Sequence, residues 1–166
     1  MIKVVIDVNV PMVANKQSPQ ADEQCIKKCV KALEEVYKNG KVFLDNGGRI
    51  LKEYKNRLRL KGQPGLGDAF MKWIWERQAT HRCELVKLTL RNDNEDDFNE
   101  FPQDIELKNF DKADRKYVAV AIASNQQPIV LNAVDSDWWD YKNVLEKHGV
   151  NIDFLCPQCI EKNKSK

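Results

Sequence analysis

The run Ile2-Lys-Val-Val-Ile6 constrains this chain more than any other stretch. Its apolar residues are β-branched and fall on both alternating faces, which suits a strand covered on both sides. Asp7 follows where the run would leave the core. Similar short runs recur at Val42-Phe-Leu44, from Cys83 to Thr89, at Pro128-Ile-Val-Leu131 and from Val150 to Leu155. Between them apolar residues return every three or four positions, as in Ile26, Cys29, Val30, Leu33 and Val36, the period of a helix with one buried face. Further helices are predicted from Arg49 to Lys61, where Gly62-Gln-Pro-Gly65 breaks the pattern, from Gly67 to Ala79, from Phe110 to Ala123 and from Trp138 to His148. Strands that alternate with helices predict an α/β three-layer sandwich with a central, mostly parallel sheet.

With 166 residues the chain suits one domain over residues 1–155, followed by a polar, frayed tail at 156–166. Residues 91–103 are acidic and polar and read as a solvated loop. The net charge is only +2, so a basic surface, if present, is local. No run is long and apolar enough to span a bilayer, and the start lacks a signal-peptide pattern. Five cysteines, an odd number, then favour reduced thiols and a cytoplasmic location. Cys25 and Cys29 lie one helical turn apart and read as core or flank thiols. Cys156-Pro-Gln-Cys159 has CxxC spacing, but no second CxxC exists to complete a four-ligand zinc site. Cys83 and His148 are conceivable partners; the expectation is a tail without a metal or redox role. Trp73, Trp75, Trp138 and Trp139 read as packing residues before base-stacking ones.

Asp7, Glu53, Asp114 and Asp135 stand tens of residues apart, yet each sits at an element end. In a doubly wound sheet such ends gather along one edge. Asp114 shares a helix face with Val118 and Ala121, and a carboxylate there needs compensation. Gathered carboxylates repel unless a cation joins them, and oxygen-only donors suit Mg²⁺ or Mn²⁺. The chemistry that uses such a set is phosphodiester hydrolysis. Asp111 reads as a helix cap first, and Asp137 as the N-cap of the helix after Asp135. The basic face with Lys52, Lys55 and Arg57, joined by Lys112, Arg115 and Lys116, is a candidate track for RNA phosphates.

In that order, Val-Ile-Asp7-Val-Asn9, Glu53 in Ile-Leu-Lys-Glu-Tyr, Asp114-Arg-Lys-Tyr-Val-Ala-Val-Ala121 and Ala133-Val-Asp135-Ser-Asp137-Trp138 resemble the motifs of the PIN-domain family of metal-dependent ribonucleases. The resemblance spans about residues 2–155. It implies a Mg²⁺- or Mn²⁺-dependent endoribonuclease with Asp7, Glu53, Asp114 and Asp135 as metal ligands and catalytic residues. Asn9 would orient water or phosphate, with Asp111 and Asp137 in support. It also implies an RNA substrate, and for a small stand-alone member a toxin–antitoxin pairing, with an antitoxin-like protein partner and a homodimer. The chain departs from the family at Ala133, where a hydroxyl residue usually precedes the fourth acid. Two alternatives stand beside the nuclease: a catalytically inactive PIN scaffold that binds RNA or protein, and a haloacid-dehalogenase-type phosphatase. The phosphatase wants a second Asp two residues after Asp7, and Asn9 stands there.

Overall fold

The computed structural model describes residues 1–59 and 65–165, apart from the side chain of Glu95. Five strands form one wholly parallel sheet in the order β3-β2-β1-β6-β7. They are β1 (Ile2–Ile6), β2 (Gly40–Asp45), β3 (Cys83–Val86), β6 (Ile129–Asn132) and β7 (Asn151–Phe154). In register, Val4 is flanked by Val42 and Ile129, and Ile6 lies beside Leu131. Val4, Val5 and Ile6 are all buried, as expected for a central strand with both faces covered. The α/β three-layer sandwich predicted from the alternating pattern is therefore present.

Helices α1 (Asn9–Ala14), α2 (Glu23–Asn39) and α4 (Leu66–Arg77) pack together in one layer, while α5 (Arg115–Ala123) lies on β1, β2 and β6 and meets α3 (Arg49–Arg57). Helix α6 (Ser136–Lys147) packs on β7. The helices lie in the connections between parallel strands, which must cross over the sheet. The chain winds one way from β1 to β3, then returns across the sheet to β6 on the other side of β1. The layers touch closely. A Cβ on Gly40 would stand 2.7 Å from the Val36 backbone, and one on Gly67 would stand 1.9 Å from the Pro11 carbonyl. Arg82 closes the end of α2 by donating to the carbonyls of Val36, Tyr37 and Gly40 at 2.7–2.8 Å. Among the described residues no helix is long and apolar enough to cross a membrane.

Four local expectations change. Helix α3 ends at Arg57 and Leu58 is extended; the remainder of the predicted helix, Leu60 and Lys61, and most of its Gly-Pro break lie outside the described residues. The acidic stretch after Arg91 is not a plain loop, because β5 (Asn94–Phe98) pairs antiparallel with β4 (Leu90–Arg91). Phe98 and Phe101 anchor it in the core, and Asp97 accepts from two arginines. The tail is not frayed at its start. Pro157–Lys164 form helix α7, which buries Cys159 and Ile160. Nor are all five thiols reduced, since Cys25 is bonded to Cys156. Cys29 and Cys159 lie buried as free thiols. Burial, and then Cys159, pushes the Cys29 thiol up to about 12.

Trp138 is fully buried and Trp139 packs edge-on against Phe154. Trp73 packs with Tyr37 and Phe70. Trp75, 44% exposed, is the least covered of the four.

Candidate functional site

Strand β1 has neighbours reached by chain excursions in opposite directions, so the crevice at its carboxyl end is the topological switch point of the sheet. Asp7 sits there. Its backbone N–H donates to Leu131 at 3.1 Å, continuing the β1–β6 pairing by one residue. Its Oδ1 accepts from the N–H of Asn9 at 2.9 Å. Its Oδ2 is buried and has no hydrogen-bond partner among the described residues.

Asp114 ends a turn of 3₁₀ helix (Lys112–Asp114) that opens α5. Asp111 caps that turn, accepting from Ala113 at 3.0 Å, as its sequence reading proposed. Asp135 follows β6 and is the N-cap of α6, accepting from Asp137 at 2.9 Å. The capping role assigned to Asp137 thus belongs to Asp135. The helix starts two residues earlier than its apolar period suggests, and Asp137 is exposed in its first turn. One carboxylate oxygen from each of Asp7, Asp114 and Asp135 lies within 4.8 Å of the other two. Oxygens ~2.0–2.6 Å from one shared cation would stand at most about 5 Å apart.

Glu53, on α3, stands outside this triad among the described residues. Its Oε1 accepts from the Tyr117 hydroxyl and lies 3.4 Å from the Lys116 ammonium. Its charge still reaches the triad, raising both Asp7 and Asp114. The expected four-carboxylate cage is three carboxylates plus an acid at the rim.

Electrostatic crowding is the property that sets this cluster apart. Burial first, then Asp114, raises the Asp7 carboxyl well above its usual range, against the opposing Asn9 hydrogen bond. Asp114 is pushed up to about 7, chiefly by burial and then by Asp135. Burial also raises Asp135, while the N–H of Asp137 pulls it back. Three carboxyls that resist ionisation beside one another, with an orphaned Asp7 oxygen among them, fit a hard divalent cation. The donor set is all oxygen, so Mg²⁺ or Mn²⁺ suits it better than a thiol-seeking metal.

Two asparagines hold the cluster in place. The Asn9 side chain accepts from the N–H of Ala133 at 2.9 Å and donates to Asn132 at 3.3 Å. Asn132, fully buried, accepts in turn from the N–H of Asp135 at 3.1 Å. Asn9 therefore clamps the Asp7 turn to the Asp135 turn through one N–H and its oxygen, and its second amide N–H is not used in this clamp. Ala133, fully buried, takes part through its backbone N–H. Tyr54 adds a third tie: its hydroxyl, fully buried on α3, donates to the Ile6 carbonyl beside Asp7.

The basic residues divide. A cleft of about 350 Å³ is lined by Arg49, Lys52, Arg57, Lys112 and Lys116, with the carboxylates of Glu53 and Asp96 in the same wall. Lys52 and Arg57 are exposed there, whereas Lys116 is largely buried against Glu53. Lys55 lies instead over the Trp75 ring, 5.0 Å from its centre. Arg115 is not available to a nucleic acid. It is buried, pairs with Asp97 at 3.2 Å, and donates to the carbonyls of Lys108 and Phe110. In a local window it looks like a surface charge, and only the docked β4–β5 hairpin makes it internal.

Tyr54 and Tyr117 were not legible as site residues. Asn132 carried a weak signal as a polar residue ending an apolar strand. Neither a family model, nor a curated protein, nor a solved structure matches this chain.

Proposed function

We propose that this chain is a Mg²⁺- or Mn²⁺-dependent endoribonuclease with a PIN-like site. The observation that carries the reading is the convergence of Asp7, Asp114 and Asp135 at the switch point, with Asp7 Oδ2 buried and unpartnered among the described residues. Asp7, Asp114 and Asp135 would hold the ion, with Glu53 and Asp137 at the rim. When bound, the ion would supply Lewis acidity to the scissile phosphate and make an attacking water easier to ionise.

The chain's own residues do the rest. Lys52, Arg57 and Lys112 give a mainly cationic cleft that reaches Glu53, with Asp96 also in its wall and Arg49 paired to Asp45, suited to successive phosphates of a single strand. Lys116 and Tyr117 fix Glu53 between cleft and triad. The Asn9–Asn132 clamp keeps the two strand-end turns at a constant spacing, as directional chemistry requires. Cytoplasmic residence, an antitoxin-like protein partner that covers the acidic edge, and a homodimer belong to the same proposal.

The test is cleavage of end-labelled RNA and DNA with Mg²⁺, Mn²⁺ or EDTA. RNA cutting that needs the ion and disappears in Asp7→Asn is expected. Cutting that survives EDTA, or survives Asp7→Asn, rules the reading out. One observation favours a second reading, a scaffold that binds RNA or protein without cutting it: Glu53 is held by Tyr117 and Lys116 and does not join the triad. RNA binding by the wild-type chain with no cleavage under any metal would select it.

A further inference from the structure

Three of the five cysteines meet at one place and a fourth lies beside them, a cluster different in chemistry from the carboxylates. Cys25 and Cys29 lie one turn apart on the same buried face of α2. Cys156 and Cys159 bracket the start of α7, and the N–H of Cys159 donates to the Cys156 carbonyl at 3.1 Å. The sulfurs of Cys25, Cys29 and Cys156 all lie within 4.8 Å of one another. The Cys159 sulfur, 3% exposed, stands outside that group but next to it, its backbone tied to Cys156. The fifth, Cys83, stands on β3 beside Lys41 and Glu84, and His148 is paired with Asp104.

We propose that Cys25, Cys29, Cys156 and Cys159 form a tetrathiolate Zn²⁺ site that clips α7 to α2 when the protein is reduced. Both spacings, C-x₃-C on a helix and C-x₂-C at a turn, lie in the range used by structural zinc sites. A tetrahedral site with Zn–S near 2.3 Å puts its sulfurs about 3.8 Å apart, so the Cys159 side chain must swing in as the Cys25–Cys156 bond opens. Thiolate donors select a soft or borderline metal, whereas the acidic triad selects a hard one. The amino end of α7 points its partial positive charge at this cluster.

The Cys25–Cys156 bond and the zinc site use the same sulfurs, so they are alternative states. A dithiol reductant gives two electrons and two protons to the disulfide, yielding two thiols here and a disulfide in the reductant. Zn²⁺ then replaces the protons of all four thiols, releasing four to solvent. Either state cross-links α2 to α7; Asn163 to Gln20 and Lys164 to Asp140 continue the docking.

The full chain, reduced by a dithiol without oxygen and freed of reductant, is titrated with Co²⁺ and then Zn²⁺. Expected is one Co²⁺ per chain with sulfur-to-cobalt charge-transfer bands, displaced by one equivalent of Zn²⁺. Cys29→Ser and Cys159→Ser should each weaken Zn²⁺ binding by at least about tenfold, since even loss of a residue supporting a ligand costs that much. Cys83→Ser and Asp7→Asn should leave the bands intact, the latter separating this site from the carboxylates. A reduced wild-type chain with no thiolate bands overturns the proposal without any variant having to fold. So do bands undiminished in both Cys29→Ser and Cys159→Ser.

Discussion

Asp7 and Asp114 are the residues whose environment departs furthest from that of an ordinary surface acid. Each keeps its proton in the folded chain at a pH where the unfolded chain has lost it. The folded state therefore binds more protons between the usual carboxylate range, near 4, and about 7. Stability of the metal-free protein must fall as pH rises through that window. Thermal unfolding in EDTA should show a higher Tm at the acid end of the window than at neutral pH, and Mg²⁺ should recover the loss at neutral pH. Asp114→Asn removes one of the crowded charges. It should stabilise the metal-free chain by about 1–2 kcal/mol in urea unfolding and flatten the pH dependence, while removing activity. Asn9 works in the opposite direction. Replacing it by Ala leaves the Ala133 N–H without its acceptor and should cost about 1–3 kcal/mol.

Elements decide which charges can face a substrate. The β4–β5 hairpin places Asp97 against Arg91 and Arg115, which turns two cations into internal ties. Arg115→Ala breaks a largely buried pair and frees the carbonyls of Lys108 and Phe110; a loss of about 2–4 kcal/mol in chemical denaturation is expected. Helix α3 does the converse, presenting Lys52 and Arg57 to the cleft. Lys52→Ala with Arg57→Ala should lower the salt slope of single-stranded RNA binding by about 1–1.5, at ~0.7 per phosphate contact. Lys55→Ala, over Trp75, should leave that slope unchanged. Equal slopes in both variants would remove the cleft from the binding path.

At the scale of the whole molecule, the return of the chain from β3 to β6 creates the site. It sets β6 beside β1, so two acids 128 residues apart become neighbours at one sheet edge. A second long-range tie joins the sequence-distant ends of the fold, Cys25 with Cys156 across 131 residues. Closing a loop of that length constrains the unfolded chain strongly, so reduction in the presence of a chelator should cost about 2–4 kcal/mol in urea unfolding. Zn²⁺ added to the reduced chain should restore part of it.

Periodicity alone determined the five strands of the parallel sheet and most of the helices, though not the β4–β5 hairpin, because burial on both faces of a strand leaves a continuous apolar run and burial of one helix face leaves a three-to-four spacing. The same patterns set Asp7, Asp114 and Asp135 at element ends. Pairings across the chain were beyond any local window: Asn9 with Ala133, Tyr117 with Glu53, Arg115 with Asp97 and Cys25 with Cys156. Their energy comes from groups brought together by the crossovers of the sheet. Arg115 and the tail cysteines show this best, since nothing in their neighbouring residues distinguishes a buried tie from a solvated side chain. The tertiary structure therefore decided which acids share a site, which cations stay exposed, and where the tail docks.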